Sequence, residues 1–116
     1  MRSADPAVVL REALTHLLVV VDYGRGDTAD QKSIDAICMR LSAGIESLAG
    51  LDPALRQELF GETWPDVWGM RNRIAHGYLL VEPGVVRRTV DRDLPILIAT
   101  ISAAATLALK LRVITI

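Results

Sequence analysis

The sequence predicts an all-α protein, an up-and-down antiparallel four-helix bundle with one or two additional short helices. Three observations carry that reading. Apolar residues recur at three- and four-residue steps over long stretches, the mark of helices that bury one face. Just over half of the 116 residues are hydrophobic yet only five are aromatic, so Leu, Val, Ile and Ala build the core, as in packed helices rather than a β-sandwich. The connections between apolar stretches are short, which favours antiparallel neighbours. The length suits one domain, residues 1–116, large enough to bury a core. No internal repeat, low-complexity tract or linker interrupts it.

The first helix spans 5 to about 23, with Asp5 as N-cap and Pro6 at the first helical position. Val8, Val9, Leu10, Leu14, Leu17, Leu18 and Val21 form its apolar stripe, and this spacing outweighs the strand propensity of Val19-Val20-Val21. His16 lies in the stripe with no second ligand nearby, so it reads as a packed or surface histidine, not a metal ligand. Gly24-Arg25-Gly26-Asp27 ends the helix, its glycines offering left-handed backbone, and Asp27 or Thr28 caps the next helix. The glycine turn lacks the Lys-Ser/Thr ending of a phosphate loop.

A second helix runs from about 29 to 49 on Ile34, Ile37, Cys38, Leu41, Ile45 and Leu48. Cys38 belongs to this stripe and reads as a small buried hydrophobe. Glu46 admits two readings: a solvated charge, or an acid that orients a basic group elsewhere. Asp52-Pro53 caps a short helix stopped by Gly61. Trp64-Pro65-Asp66 opens another that runs to His76 with Gly77 as its stop, and Trp64 and Trp68 pack one turn apart. Glu82-Pro83 opens a short helical segment through Arg92, and Asp93 or Leu94-Pro95 opens a long apolar last helix.

That last helix has sixteen uncharged residues, Leu94 to Leu109, short of the roughly twenty that a bilayer span needs. A helix apolar nearly all round in so small a protein predicts burial of a second face against another chain, hence a homodimer and no membrane. A single cysteine excludes an internal disulfide and fits the cytoplasm. Asp5 and Pro6 interrupt the N-terminus, which therefore does not read as a signal peptide. Charge is unevenly distributed: residues 1–70 carry six Lys/Arg against eleven Asp/Glu, and residues 71–116 carry seven against three. A basic half can localise an anionic ligand, although a solvated face is the simpler account.

Hydrogen-bonding and titratable chemistry concentrates in Arg71-Asn72-Arg73-Ile74-Ala75-His76-Gly77-Tyr78. On an ideal helix Arg71 and His76 lie about 140° apart around the axis and about 7.5 Å along it, whereas Asn72 and His76 share a face. Arg71 and His76 meet one substrate only if the helix ends or distorts near Gly77, or if a second subunit contributes. An arginine fork holds phosphate oxygens and a histidine moves a proton near neutral pH, which suits phosphodiester chemistry. RNA brings its own nucleophile, the 2′-hydroxyl. The plainer alternative is a helix C-terminus in which Arg and His meet the negative dipole end and Gly-Tyr forms the cap.

The run Gly69 to Tyr78 resembles the signature of the HEPN superfamily, R-x-x-x-x-H in the extended form ending H-x-Y, and within it the chain resembles HepT-like toxins. Glu46 late in the second helix, Trp64 ahead of the motif, Val81-Glu82-Pro83 to Val90, and Asp93-Leu94-Pro95 match the family pattern over essentially the whole chain. Gly44-Ile45-Glu46-Ser47 departs from the family's more usual Gly-Glu-Ala. The resemblance implies a homodimeric, metal-independent endoribonuclease without cofactor, acting as the toxin of a toxin–antitoxin pair. It makes Arg71 and His76 the catalytic pair, with Asn72 and Glu46 supporting them. Tyr78 matches the tyrosine AMPylated by a minimal nucleotidyltransferase (MNT) antitoxin. Arg73, Arg87 and Arg88 are the expected RNA-binding cations. Related proteins support an alternative, a non-catalytic helical partner that completes the substrate site of a nucleotidyltransferase. A nucleotide-binding regulator is a distant third.

Overall fold

The computed structural model of the chain describes residues 5–26, 30–77 and 83–115, with the backbone alone at 75–77, 83 and 111–115. Among the described residues the fold is all helical, with four long helices and two short ones. Helix α1 (Pro6–Tyr23) starts as expected: Asp5 accepts a hydrogen bond from the Ala7 amide at 3.0 Å, and Pro6 occupies the first turn. Its valine run stays helical because Val20 is wholly buried, so packing overrides strand propensity. Helix α2 (Gln31–Leu48) is capped by Asp30, which accepts from the Ser33 amide at 3.2 Å. The cap expected at Asp27 or Thr28 is therefore displaced to Asp30; those two residues lie outside the described ones.

Gly24 corrects a second expectation. Its backbone is right-handed (φ −69°, ψ −11°), so conformational freedom is not why glycine stands there. A Cβ at this position would fall 2.7 Å from Cγ1 of Val90, and the Gly24 carbonyl accepts a 2.7 Å hydrogen bond from Nη1 of Arg87. The glycine permits a close approach between the end of α1 and the chain around 87–90. A left-handed backbone is required at Gly61 instead (φ 53°), where α3 (Pro53–Phe60), capped by Asp52, stops. A 3₁₀ turn, Gly61–Thr63, leads directly into α4 (Trp64–Gly77).

Helix α5 (Pro83–Arg88) continues through a π-helical turn, Thr89–Asp93, into α6 (Leu94–Thr115). The expected break at Asp93-Leu94-Pro95 does not occur. A proline inside an α-helix lacks a donor and collides with the carbonyl four residues back. The wider π turn just ahead of Pro95, closed by the Leu94 amide on the Thr89 carbonyl, carries the helix past it. The resulting run of 33 residues is about 50 Å long at 1.5 Å per residue and matches the 48 Å long axis of the molecule.

Helix α1 lies between α2 and α6, and α4 packs on the far side of α2. Leu10, Leu17, Ile34, Ile37, Ile45, Leu48, Leu94 and Ile101 are fully buried at the centre. Each such side chain contributes about 1.5–3 kcal/mol of hydrophobic stabilisation. The α1–α2 contact is close at Gly44, where a Cβ would lie 2.9 Å from Cδ2 and 3.1 Å from Cγ of Leu17. Helices α4 and α6 barely touch, and a cleft of about 370 Å³ separates them. The bundle is thus open along its α4–α6 side.

Helix α6 keeps Leu94, Leu97, Ile101 and Ala104 inside, but Ile96 is 70% and Leu107 58% exposed. Among the described residues, one helix, Gly84–Lys110, is long and apolar enough to cross a membrane by length and composition, with a mean hydropathy of 1.5. Its first ten residues carry Arg87, Arg88, Asp91, Arg92 and Asp93, so the apolar part is the run already noted in the sequence.

The tight α1–α2 contact gives the first prediction. Gly44→Val forces two branched methyl groups against Leu17 and lowers the unfolding free energy by about 1–3 kcal/mol, read from urea denaturation followed by circular dichroism.

Candidate active site

Arg71 leaves α4 on the side that faces α2. Two helix positions fix its surroundings: Trp68, one turn earlier, and Asn72, the next residue. The guanidinium carbon stands 5.0 Å from the centre of the Trp68 ring. Nη1 donates to Oδ1 of Asn72 at 3.2 Å, and Nη2 lies 3.5 Å from Oε1 of Glu46 on α2. Nε is buried and has no hydrogen-bond partner among the described residues. The Arg71 side chain is only 21% exposed. A positive charge so nearly enclosed is worth most where an anion must be held out of bulk water.

The sharper of the two readings of Glu46 is the one its position fits. α2 packs on α4 with Ile45 and Ile74 in the core between them, and this carries the Glu46 carboxylate to the guanidinium. The carboxylate is 60% exposed, so the ion pair adds about 0–1 kcal/mol and acts more on orientation than on stability. Beside it, Asp35, Cys38, Met39, Ser42, Ala43, Glu46 and Ile74 line an open groove of about 480 Å³. Cys38 is buried in its wall, and burial, followed by the charge of Asp35, pushes its thiol pKa up from 9.0. It is therefore a neutral thiol near pH 7, as the helical stripe indicated.

The backbone is helical through Gly77, so the angular separation of Arg71 and His76 expected from the sequence is kept within one chain. Among the described residues the α4 backbone shows no distortion before Gly77. The side chain of His76, and Tyr78 altogether, lie outside the described residues. So does the expected contact in which Asn72 orients the imidazole; what Asn72 does hold is Arg71.

The three cations expected on RNA have separate surroundings. Arg73 projects on the other side of α4 from Arg71 and lines the cleft towards α6 with Asp66, Met70, Asp93 and Ile96. Arg88 is exposed. Arg87 is already engaged: Nε and Nη2 bind the two Asp91 oxygens at 3.1 and 2.7 Å, and Nη1 binds the Gly24 carbonyl. A fork with both ends taken joins the end of α1 to α5 and the π turn. Among the described residues no group of three His, Cys, Asp or Glu side chains is placed to hold a metal ion.

The site residue that sequence reasoning misses is Trp68. Its spacing from Trp64 points to packing between the two indoles, although its place three residues before Arg71 is an equally available signal.

A family model described as ribonuclease HepT-like matches residues 10–104. No curated protein matches the chain, and no solved structure does.

The raised thiol pKa gives the second prediction. At pH 8 iodoacetamide alkylates Cys38 at least about tenfold more slowly in the native protein than in urea. Because the folded thiol holds its proton more tightly than the unfolded one, this residue's contribution to stability is complete below about pH 9. It declines as pH rises from there through the folded pKa, which a denaturation series across alkaline pH, compared with Cys38→Ala, detects.

Proposed function

The chain belongs to the ribonuclease HepT-like family, and from that premise we propose that it is the toxin of a toxin–antitoxin pair, a metal-independent endoribonuclease acting through Arg71 and His76. The observation that carries the reading is the setting of Arg71. Its guanidinium is braced on one face and at two corners, and its buried Nε has no acceptor among the described residues. About a fifth of the side chain stays exposed, so a phosphate oxygen can still reach the held guanidinium.

In the proposed reaction the RNA 2′-hydroxyl attacks the adjacent phosphorus as an imidazole removes its proton. The charge gathering on the non-bridging oxygens is met by Arg71. The bond to the 5′-oxygen breaks, that oxygen takes up a proton, and the products are a 2′,3′-cyclic phosphate and a 5′-hydroxyl. Because Arg71 and His76 stand five positions apart on a continuous helix, about 140° around its axis, the reading includes a homodimer whose two-fold axis assembles one cleft from both chains. The exposed apolar residues of α6, from Ile96 near its start to Leu107 and Leu109, support such an association. Arg88 and Arg73 supply long-range attraction for the RNA backbone in this scheme, and Arg87 serves mainly as a clamp.

Control falls to Tyr78. In the proposed off-switch, a minimal nucleotidyltransferase antitoxin directs the phenol oxygen onto the α-phosphorus of ATP and pyrophosphate leaves. The attached AMP places negative charge and bulk beside the motif, where it competes with the RNA phosphate. The setting is the cytoplasm, where the RNA is.

Two predictions test this reading. Purified protein in excess EDTA cleaves RNA to 2′,3′-cyclic phosphate ends, and Arg71→Ala or His76→Ala lowers the rate by about 10²–10⁴-fold with helicity and dimer intact. Equal cleavage by wild type and both variants sinks the proposal, and a wild type inert towards RNA favours the non-catalytic nucleotidyltransferase partner. For the dimer, Ile96→Glu shifts light-scattering mass from two chains to one and abolishes cleavage. A monomeric variant with full activity would remove the two-chain site.

A further inference from the structure

A column of rings and cations runs along one side of α3 and α4 and ends at Arg71. Its near end is Arg56 on α3, whose guanidinium carbon lies 4.8 Å from the centre of the Trp64 ring and whose Nη1 donates to the Ala49 carbonyl at 3.4 Å. Trp64 also meets Phe60, ring centres 5.6 Å apart and planes tilted by 42°. Trp64 and Trp68 then stack with centres 5.8 Å apart and planes 26° from parallel. Arg71 stands 5.0 Å from the Trp68 ring, and its Nη2 approaches Glu46. The column therefore begins at the C-terminal end of α2, at Ala49, and returns to α2 at Glu46.

We propose that Trp68, held in place by Trp64 and Arg56, is a positioning residue that sets the orientation of the Arg71 guanidinium. The inference rests on the reading of Arg71 as the group that meets the scissile phosphate. An arginine side chain has many rotamers, and corner contacts alone fix it poorly: one is an exposed carboxylate at 3.5 Å and the other a single hydrogen bond to a neighbour. The negative face of an indole attracts a cation, and contact with that face restrains a planar cation in the one direction its hydrogen bonds leave free. An indole can do this only if it is itself immobile. Trp68 is half-buried and backed by a second indole, which is packed against Phe60 and covered by a cation of its own. The order cation, ring, ring, cation places a positive group at each end of the stacked pair, so neither indole offers a free outer face to slide along.

Misplacing a transition-state cation lowers turnover more than substrate affinity, because substrate phosphates at other positions are still held. The test pairs kinetics with a signal that needs no RNA. On an unstructured oligoribonucleotide containing every dinucleotide step, Trp68→Leu lowers kcat about tenfold or more while KM changes by less than about twofold, and Trp68→Phe, which keeps a ring face, recovers most of the rate. In nitrogen–proton correlation spectra, the Arg71 Nε–H resonance is displaced by the indole ring current. It moves to the position of an unstacked arginine in Trp68→Leu but less in Trp68→Phe. A folded Trp68→Leu protein with an unchanged Arg71 resonance overturns the inference, whatever the RNA assay gives. A loss seen only in KM overturns it too, since that would make Trp68 a substrate contact. A wild-type protein inert towards RNA refutes the catalytic reading on which the inference rests, while the resonance shift still supports the stacking itself.

Discussion

Leu17 rests on Gly44 with no room for a methyl group between the helices, and much of the molecule depends on that contact. It lets α1 and α2 approach closely, in a core where Leu17, Ile45 and Leu48 are completely buried. A helix held so firmly on one face can serve as a platform on the other. That other face carries Glu46 and the groove from Asp35 to Ala43, and α4 lies against it. Side chains near a rigid element keep their geometry better than side chains on loops, which is why a charged contact as exposed as Glu46 can still be placed reproducibly near Arg71.

The site combines three kinds of force on one guanidinium. Dispersion and ring electrostatics act on its face, a short-range hydrogen bond on one corner, and a weak ion pair on another. None is large alone: a cation over an indole is worth about 0.5–2 kcal/mol and an exposed ion pair less. Their directions are independent, so together they define an orientation that no one of them would. The partnerless Nε is the exception to an otherwise ordinary accounting, since no other described side chain has a buried nitrogen or oxygen without a hydrogen bond.

On the other side of α1 from α2, α6 has more apolar surface than its one long neighbour can cover. The open cleft between α4 and α6 leaves Ile96 and Arg73 near one another on an uncovered flank. A polar outward face would be the expected choice for a helix that remains alone in water. The π turn at Thr89–Asp93 serves the same helix, since it lets one rod run past Pro95 and span the molecule.

Periodicity and punctuation in the sequence determined the helical class, the four long helices and two short ones, the caps at Asp5 and Asp52, the stop at Gly61 and the buried state of Cys38. All of these depend on local spacing or on a side chain reaching its own backbone, which a linear chain displays. It also displayed the dense motif from Arg71 to Tyr78 and nominated Glu46. The tertiary structure alone decided that Glu46 meets Arg71, 25 positions away, because that depends on how α2 and α4 pack. It decided that Gly24 makes room for Val90, that Arg87 is tied to Gly24 and Asp91, and that Arg71 and Arg73 face opposite sides of α4. It replaced the break expected at Pro95 with a π turn, since burial of Val90 and Leu94 before the proline and of Leu97 after it holds the helix together across it. Contacts between distant residues are set by which faces meet in three dimensions, and a one-dimensional pattern fixes faces but not their partners.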